Sequence, residues 1–264
     1  MVFQSLADAR DYVLSNDEDY FITDEIIRGV SFKVFKNGPK LIPDILNLCL
    51  NHKEKDFLVF DKERYSFGEF HQLTCQIAHL LMDEYSIRPG DRVAILMKNS
   101  PEFPLIFMAL SSIGAVAVCL NSWWTSDELK YGFMDSKVKL VFTDEQRLAK
   151  IKGFVSEMGV QTVLCRHQNS DKSDEFWNSL LTSKNNELPR TTIDQDSDFA
   201  VMYTSGSTGH PKGVVMTHRG AISTLMSWHF GLRVLDVMGL GPVPYVDKNN
   251  QPYQLSLIHI SEPT

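Results

Sequence analysis

The sequence predicts an α/β fold, parallel sheets covered by helices, and three observations carry that prediction. Between residues 66 and 165, strand-length apolar runs alternate with stretches of helical period. Helix-start signatures of the form S/T-x-x-E/Q recur at Ser66 with Glu69, Thr125 with Glu128 and Thr143 with Gln146. The strand runs are continuously apolar, as strands covered on both faces are.

The elements follow in order. After Ser66, residues Phe67, Phe70, Leu73, Ile77, Leu80 and Leu81 recur at helical spacing until Arg88-Pro89-Gly90 stops the helix. "RVAILM" (Arg92 to Met97) is a strand, and Ser100-Pro101-Glu102 opens a helix with proline in its first turn. "AVAVCL" after Gly114, "KLVF" (Lys139 to Phe142) and "TVLC" (Thr162 to Cys165) are further strands, separated by the helices that Thr125 and Thr143 begin. Four strands joined through three helices require parallel pairing with crossovers. From Arg166 to Arg190 the chain is polar apart from one short helix around Phe176, Trp177, Leu180 and Leu181, and it serves as a surface connection between two sheets.

Composition narrows the function. A formal net charge of −7 gives a nucleic-acid partner no electrostatic support. Cys49, Cys75, Cys119 and Cys165 form no C-x-x-C pair, which suits free thiols in a reducing, cytoplasmic compartment. The histidines show no metal-ligand spacing, so no metal site is assigned. The uncharged run from Phe103 to Ser126 approaches the roughly 20 apolar residues that span a bilayer, but Pro104, Ser111-Ser112, Gly114 and Asn121 divide it into a helix and a strand. Asp194, Asp196 and Asp198 alternate like the start of a calcium loop, yet Phe199 stands where that loop needs glycine, which leaves a solvated acidic turn.

The richest chemistry lies at "YTSGSTGHPKGVVMTH". Apolar "FAVMY" enters as a strand, the loop turns, and "VVM" leaves as a second strand, with Thr217 placed to cap the helix that follows. The loop glycines let backbone N–H groups converge on one point, hydroxyls add donors and Lys212 adds charge, a combination suited to phosphate oxygens. Lys212 is followed by Gly213 rather than Ser or Thr, which excludes the Walker P-loop and disfavours a phosphotransferase kinase; the order Gly206-Ser207-Thr208 excludes the hydrolase nucleophile elbow.

This stretch resembles the phosphate-binding signature of the adenylate-forming (AMP-binding) superfamily: acyl-CoA synthetases, luciferases and peptide-synthetase adenylation domains. "RYSFGEF", "RPGDRVAILMKNSPEFPLIFMALSSIGAVAVCLN" and "ELKYGFMDSKVKLVFTD" are similar to the N-terminal region of fatty-acyl-CoA ligases. The resemblance implies the first part of such an enzyme's large domain. It also implies two-step activation of a carboxylic acid, a fatty acid by these motifs, with ATP, Mg2+ and coenzyme A. It assigns Thr204, Ser205, Gly206, Ser207, Thr208, Gly209 and Lys212 to the β- and γ-phosphates, and no catalytic residue. Adenylation for transfer to a carrier-protein thiol, and a non-catalytic nucleotide-binding module, stay open as alternatives. So does peripheral contact with a membrane.

Trp123 and Trp124 are expected to pack at a strand end rather than line a pocket, and His218 is left outside the site. The resulting division is 1–165 for a first α/β subdomain with an N-terminal extension, 166–198 for the polar connection, and 199–254 for the start of a second subdomain with the phosphate loop. Residues 255–264 read as a non-native, adapter-like tail. The family's ribose aspartate, magnesium glutamate and catalytic lysine motifs have no match in these 264 residues, so the chain alone is expected not to turn over.

Overall fold

The computed structural model describes residues 3–167, 174–181, 185–204 and 211–241. Two compact units separate: one runs from Leu41 to His218, the other takes the described residues up to Lys40 and those from Arg219 onward.

In the smaller unit, α1 (Leu6–Asn16) precedes the antiparallel hairpin β1 (Ile22–Ile27) and β2 (Val30–Phe35). Tyr20 is buried among Phe35 and Phe230, its hydroxyl 2.7 Å from His229 Nδ1.

The larger unit begins with α2 (Ile42–Leu48) and the antiparallel pair β3 (Asp56–Phe60) and β4 (Glu63–Ser66). Then come α3 (Phe67–Asp83), β5 (Arg92–Leu96), α4 (Glu102–Ser112), β6 (Val116–Cys119), α5 (Ser126–Ser136) and β7 (Leu140–Asp144). They are followed by α6 (Glu145–Ile151), β8 (Gln161–Arg166), α7 (Asp174–Leu181), β9 (Asp198–Thr204), β10 (Lys212–Thr217) and α8 (His218–Val237), which leads out of the unit.

The sheet order is β10-β9-β6-β5-β7-β8, parallel throughout except for antiparallel β10 at the edge. The expected parallel α/β layering is therefore present, but the expectation of two sheets joined by a polar connection is corrected. The segment after β8 carries the chain back across the sheet so that β9 pairs with β6, and both halves share one sheet.

Alternation along each strand explains why the runs are wholly apolar. Val93 and Ile95 face a core with Ile77, Leu81, Leu105 and Ile106, while Ala94 and Leu96 face another with Leu129, Phe133 and Ile151. Ser66 accepts from the Glu69 N–H at 3.1 Å and Glu69 accepts from the Ser66 N–H at 2.7 Å, and Thr125 and Glu128 repeat the box. Such a cap is worth about 1 kcal/mol.

The third box is corrected by one residue. Thr143 lies within β7, and Asp144 caps α6 by accepting from the Arg147 N–H at 2.8 Å. Aspartate caps as well as threonine, and this one is already fixed by the Lys98 N–H at 3.0 Å.

The uncharged run divides as expected, into α4 and β6, and among the described residues no helix is long and apolar enough to cross a membrane. Asp194 closes its acidic turn by accepting from the Asp196 N–H at 2.8 Å.

Candidate functional site

The candidate site is the end of the β9–β10 pair where Thr204 and Lys212 stand. Because β9 runs parallel to β6, Thr204 emerges at the carboxyl edge of the sheet, the edge where α/β folds bind ligands. The register sets Lys212 opposite Thr204 and Gly213 opposite Tyr203. Two of the residues singled out in the sequence thus stand together, the Thr204 hydroxyl donating to the Lys212 carbonyl at 3.5 Å. Ser205, Gly206, Ser207, Thr208 and Gly209 lie outside the described residues. The Lys212 side chain is exposed, and its ammonium has no hydrogen bond or ion pair with any described residue.

The neck of the hairpin contains residues that sequence reasoning missed. The Tyr203 ring lies across Gly213, where a Cβ would come within 3.3 Å of Tyr203 Cζ and 3.0 Å of Val201 Cγ1. The Tyr203 hydroxyl donates to Asp135 Oδ2 at 2.6 Å, on the last turn of α5, and its ring meets the edge of Trp124 at 5.4 Å. Burial, and next the Asp135 carboxylate, push the Tyr203 phenol well above its ordinary pKa, so it is a fixed donor. Tyr203 and Gly213 stand ten positions apart in the sequence; only the strand register makes them neighbours.

The tryptophans part company. Trp124 is 8% exposed and packs as expected, whereas Trp123, expected to pack with it, is 72% exposed, because the turn after β6 points successive side chains to opposite sides. Gly132 on α5 gives Trp124 its room: a Cβ there would sit 3.0 Å from the indole.

Cys119 ends β6 beside Met202 of β9, and burial holds its thiol up to about 12, too protonated to act as a nucleophile at neutral pH. At the foot of the hairpin His218 is wholly buried. Its Nδ1 accepts from the Ile42 N–H at 3.3 Å, so the ring proton sits on Nε2, and burial lowers its pKa to about 4. Its ring lies 5.2 Å from that of Phe199 on β9.

The sheet is a parallel α/β sheet that brings Thr204 and Lys212, the two described ends of the hydroxyl-glycine stretch, out at its carboxyl edge, where α/β folds bind ligands. The chain belongs to the AMP-binding enzyme family, whose model matches residues 48–249. It is 37% identical over 146 residues to the 4-coumarate–CoA ligase CCL1 of Humulus lupulus, covering 54% of this chain and 26% of that protein. It is 30% identical over 163 residues to 4-coumarate–CoA ligase 2 of Petroselinum crispum, covering 62% and 29%. The chain thus spans less than a third of the length of these curated relatives. Among solved structures, the Mycobacterium tuberculosis fatty acyl CoA synthetase superposes with a TM-score of 0.63 at 27% identity, over 72% of this chain and 37% of that one.

Proposed function

We propose that the chain is the phosphate-binding part of an enzyme that activates a carboxylic acid with ATP and passes the acyl group to coenzyme A. The observation that carries this reading is the hairpin that sets Thr204 opposite Lys212 at the carboxyl edge of the sheet. Thr204, Ser205, Gly206, Ser207, Thr208, Gly209 and Lys212 hold the β- and γ-phosphates. A carboxylate oxygen of the acid attacks the α-phosphorus and pyrophosphate leaves. The thiol of coenzyme A then attacks the acyl carbon, losing its proton to solvent, and AMP departs. The attacking carboxylate is already an anion at neutral pH, so the first step needs alignment and charge stabilisation rather than a base. Lys212 supplies that charge to the departing pyrophosphate.

Magnesium would arrive with ATP. Among the described residues no group of three or more His, Cys, Asp or Glu side chains gathers as a metal site. The 264 residues by themselves bind phosphate without turnover, and the protein acts in the cytoplasm, with peripheral membrane contact when its acid is a long-chain one.

The acid is a fatty acid on this reading, supported by the resemblance of the N-terminal motifs and by the similarity to a fatty acyl CoA synthetase. The test is acid-dependent exchange of labelled pyrophosphate into ATP by the full-length enzyme that carries this sequence. Exchange with fatty acids supports the reading; exchange with hydroxycinnamates alone replaces the fatty acid with an aryl acid; no exchange with any carboxylic acid overturns the activity.

A further inference from the structure

The neck of the hairpin does more than join two strands. Tyr203 directly precedes Thr204, and its ring covers Gly213, the residue directly after Lys212, so one side chain touches both stems of the loop. That side chain is held from a third element. Its hydroxyl donates to Asp135 Oδ2 at 2.6 Å and approaches the Gly132 carbonyl at 3.4 Å, both on α5, and Trp124 packs against its ring. The helix is in turn tied at its start by the Thr125–Glu128 box and by Lys150, which donates to the Trp124 carbonyl at 2.9 Å. β10 is an edge strand of the sheet, with exposed Val214 and Val215.

We infer that Tyr203 and Asp135 are positioning residues, a latch from α5 that sets the aim of Thr204 and Lys212 at the phosphate. The inference rests on the function proposed above and names residues that the phosphate-loop motif does not assign. The latch also places a carboxylate near a site meant for anions, and this gives the test a sign. If Asp135 acts only through its charge, removing it strengthens anion binding, and Asn and Ala do so alike. If it acts by holding Tyr203, Asp135→Ala weakens binding while Asp135→Asn, whose amide oxygen still accepts, keeps it.

The probe is inorganic pyrophosphate, titrated calorimetrically into the 264-residue chain. Tyr203→Phe and Asp135→Ala are expected to weaken binding about fivefold, the effect of one lost hydrogen bond, with Asp135→Asn at or above wild-type affinity. Unchanged affinity in Tyr203→Phe, or tighter binding in Asp135→Ala, overturns the latch. If wild type binds no pyrophosphate, the functional reading fails and the latch is judged separately from amide hydrogen exchange at Thr204 and Lys212. Faster exchange there in both variants supports it; exchange equal to wild type overturns it. Should Tyr203→Phe fail to fold, the Asp135 pair decides alone, because it leaves the ring in place.

Discussion

Two places along the carboxyl edge of the same sheet use charge in opposite ways. At the ends of β7 and β8, the charges of Asp144, Arg147 and Arg166 are paired with other described residues. Asp144 accepts from the Lys98 N–H and from Arg147 beside the ends of β5 and β7, where the strand order reverses. Arg166, 6% exposed, reaches Glu102 at 2.7 Å and Glu63 at 2.9 Å and lies over the Phe60 ring. Where β9 ends and β10 begins, the Lys212 ammonium meets no described residue, and the neighbouring Tyr203 hydroxyl is turned toward α5. The reversal point of an α/β sheet is the usual ligand crevice. Here Asp144 and Arg147 pair at that point, and Lys212, which no described residue pairs, stands at the hairpin.

Breaking the buried end gives the largest effect. Arg166→Ala leaves Glu102, which is wholly buried, without its partner, and should cost about 3–5 kcal/mol in urea unfolding. Replacing Arg166 by Met together with Glu102 by Leu should recover much of that loss, because the buried carboxylate is then gone.

His218 comes next and acts through pH. Its folded pKa, about 4, lies below the ordinary 6.5, so the unfolded chain binds the extra proton first as pH falls. The stability from keeping it neutral is complete above pH 6.5 and is lost as pH falls toward 4, by up to about 3 kcal/mol at 1.4 kcal/mol per pKa unit. In unfolding curves between those pH values, His218→Asn should flatten this dependence; a slope equal to wild type would show that another group carries it.

Gly213→Ala tests the hairpin end itself. The added methyl meets Val201 and Tyr203 at 3.0 and 3.3 Å, and should cost about 1–3 kcal/mol while disturbing the Tyr203 signal in near-ultraviolet circular dichroism. Smallest in stability is Lys212→Ala. An exposed lysine with no described partner should leave the unfolding free energy within about 0.5 kcal/mol, while pyrophosphate affinity falls at least tenfold, the effect of a lost charge-assisted contact. Equal losses in both would make Lys212 a structural residue and erase the contrast.

Much of this molecule was legible before its coordinates. Ser66, Thr125 and their glutamates are local, each bond spanning three residues, so helix starts could be read directly. The apolar strands announced parallel pairing, and the glycine-hydroxyl-lysine stretch pointed to the AMP-binding family, because both depend on residues close in sequence. The Asp144 cap was missed by one position, since whether Thr143 ends a strand or starts a helix depends on how far β8 pairs with β7. Trp123 and Trp124 looked alike in sequence and differ because one faces α5 and the other solvent.

The sequence by itself determined the element types and order from Ser66 onward, the parallel layering and the family. Tertiary structure decided that β9 returns to β6 and makes one sheet, that Tyr203 meets Asp135 across 68 residues, and that Glu102 and Arg166 meet across 64. The reason is physical: helix caps and strand periodicity are short-range, set by backbone geometry within a few residues. Which distant charges neutralise one another, and which residues stand opposite one another at the sheet edge, depends on the burial and register that only the closed sheet creates.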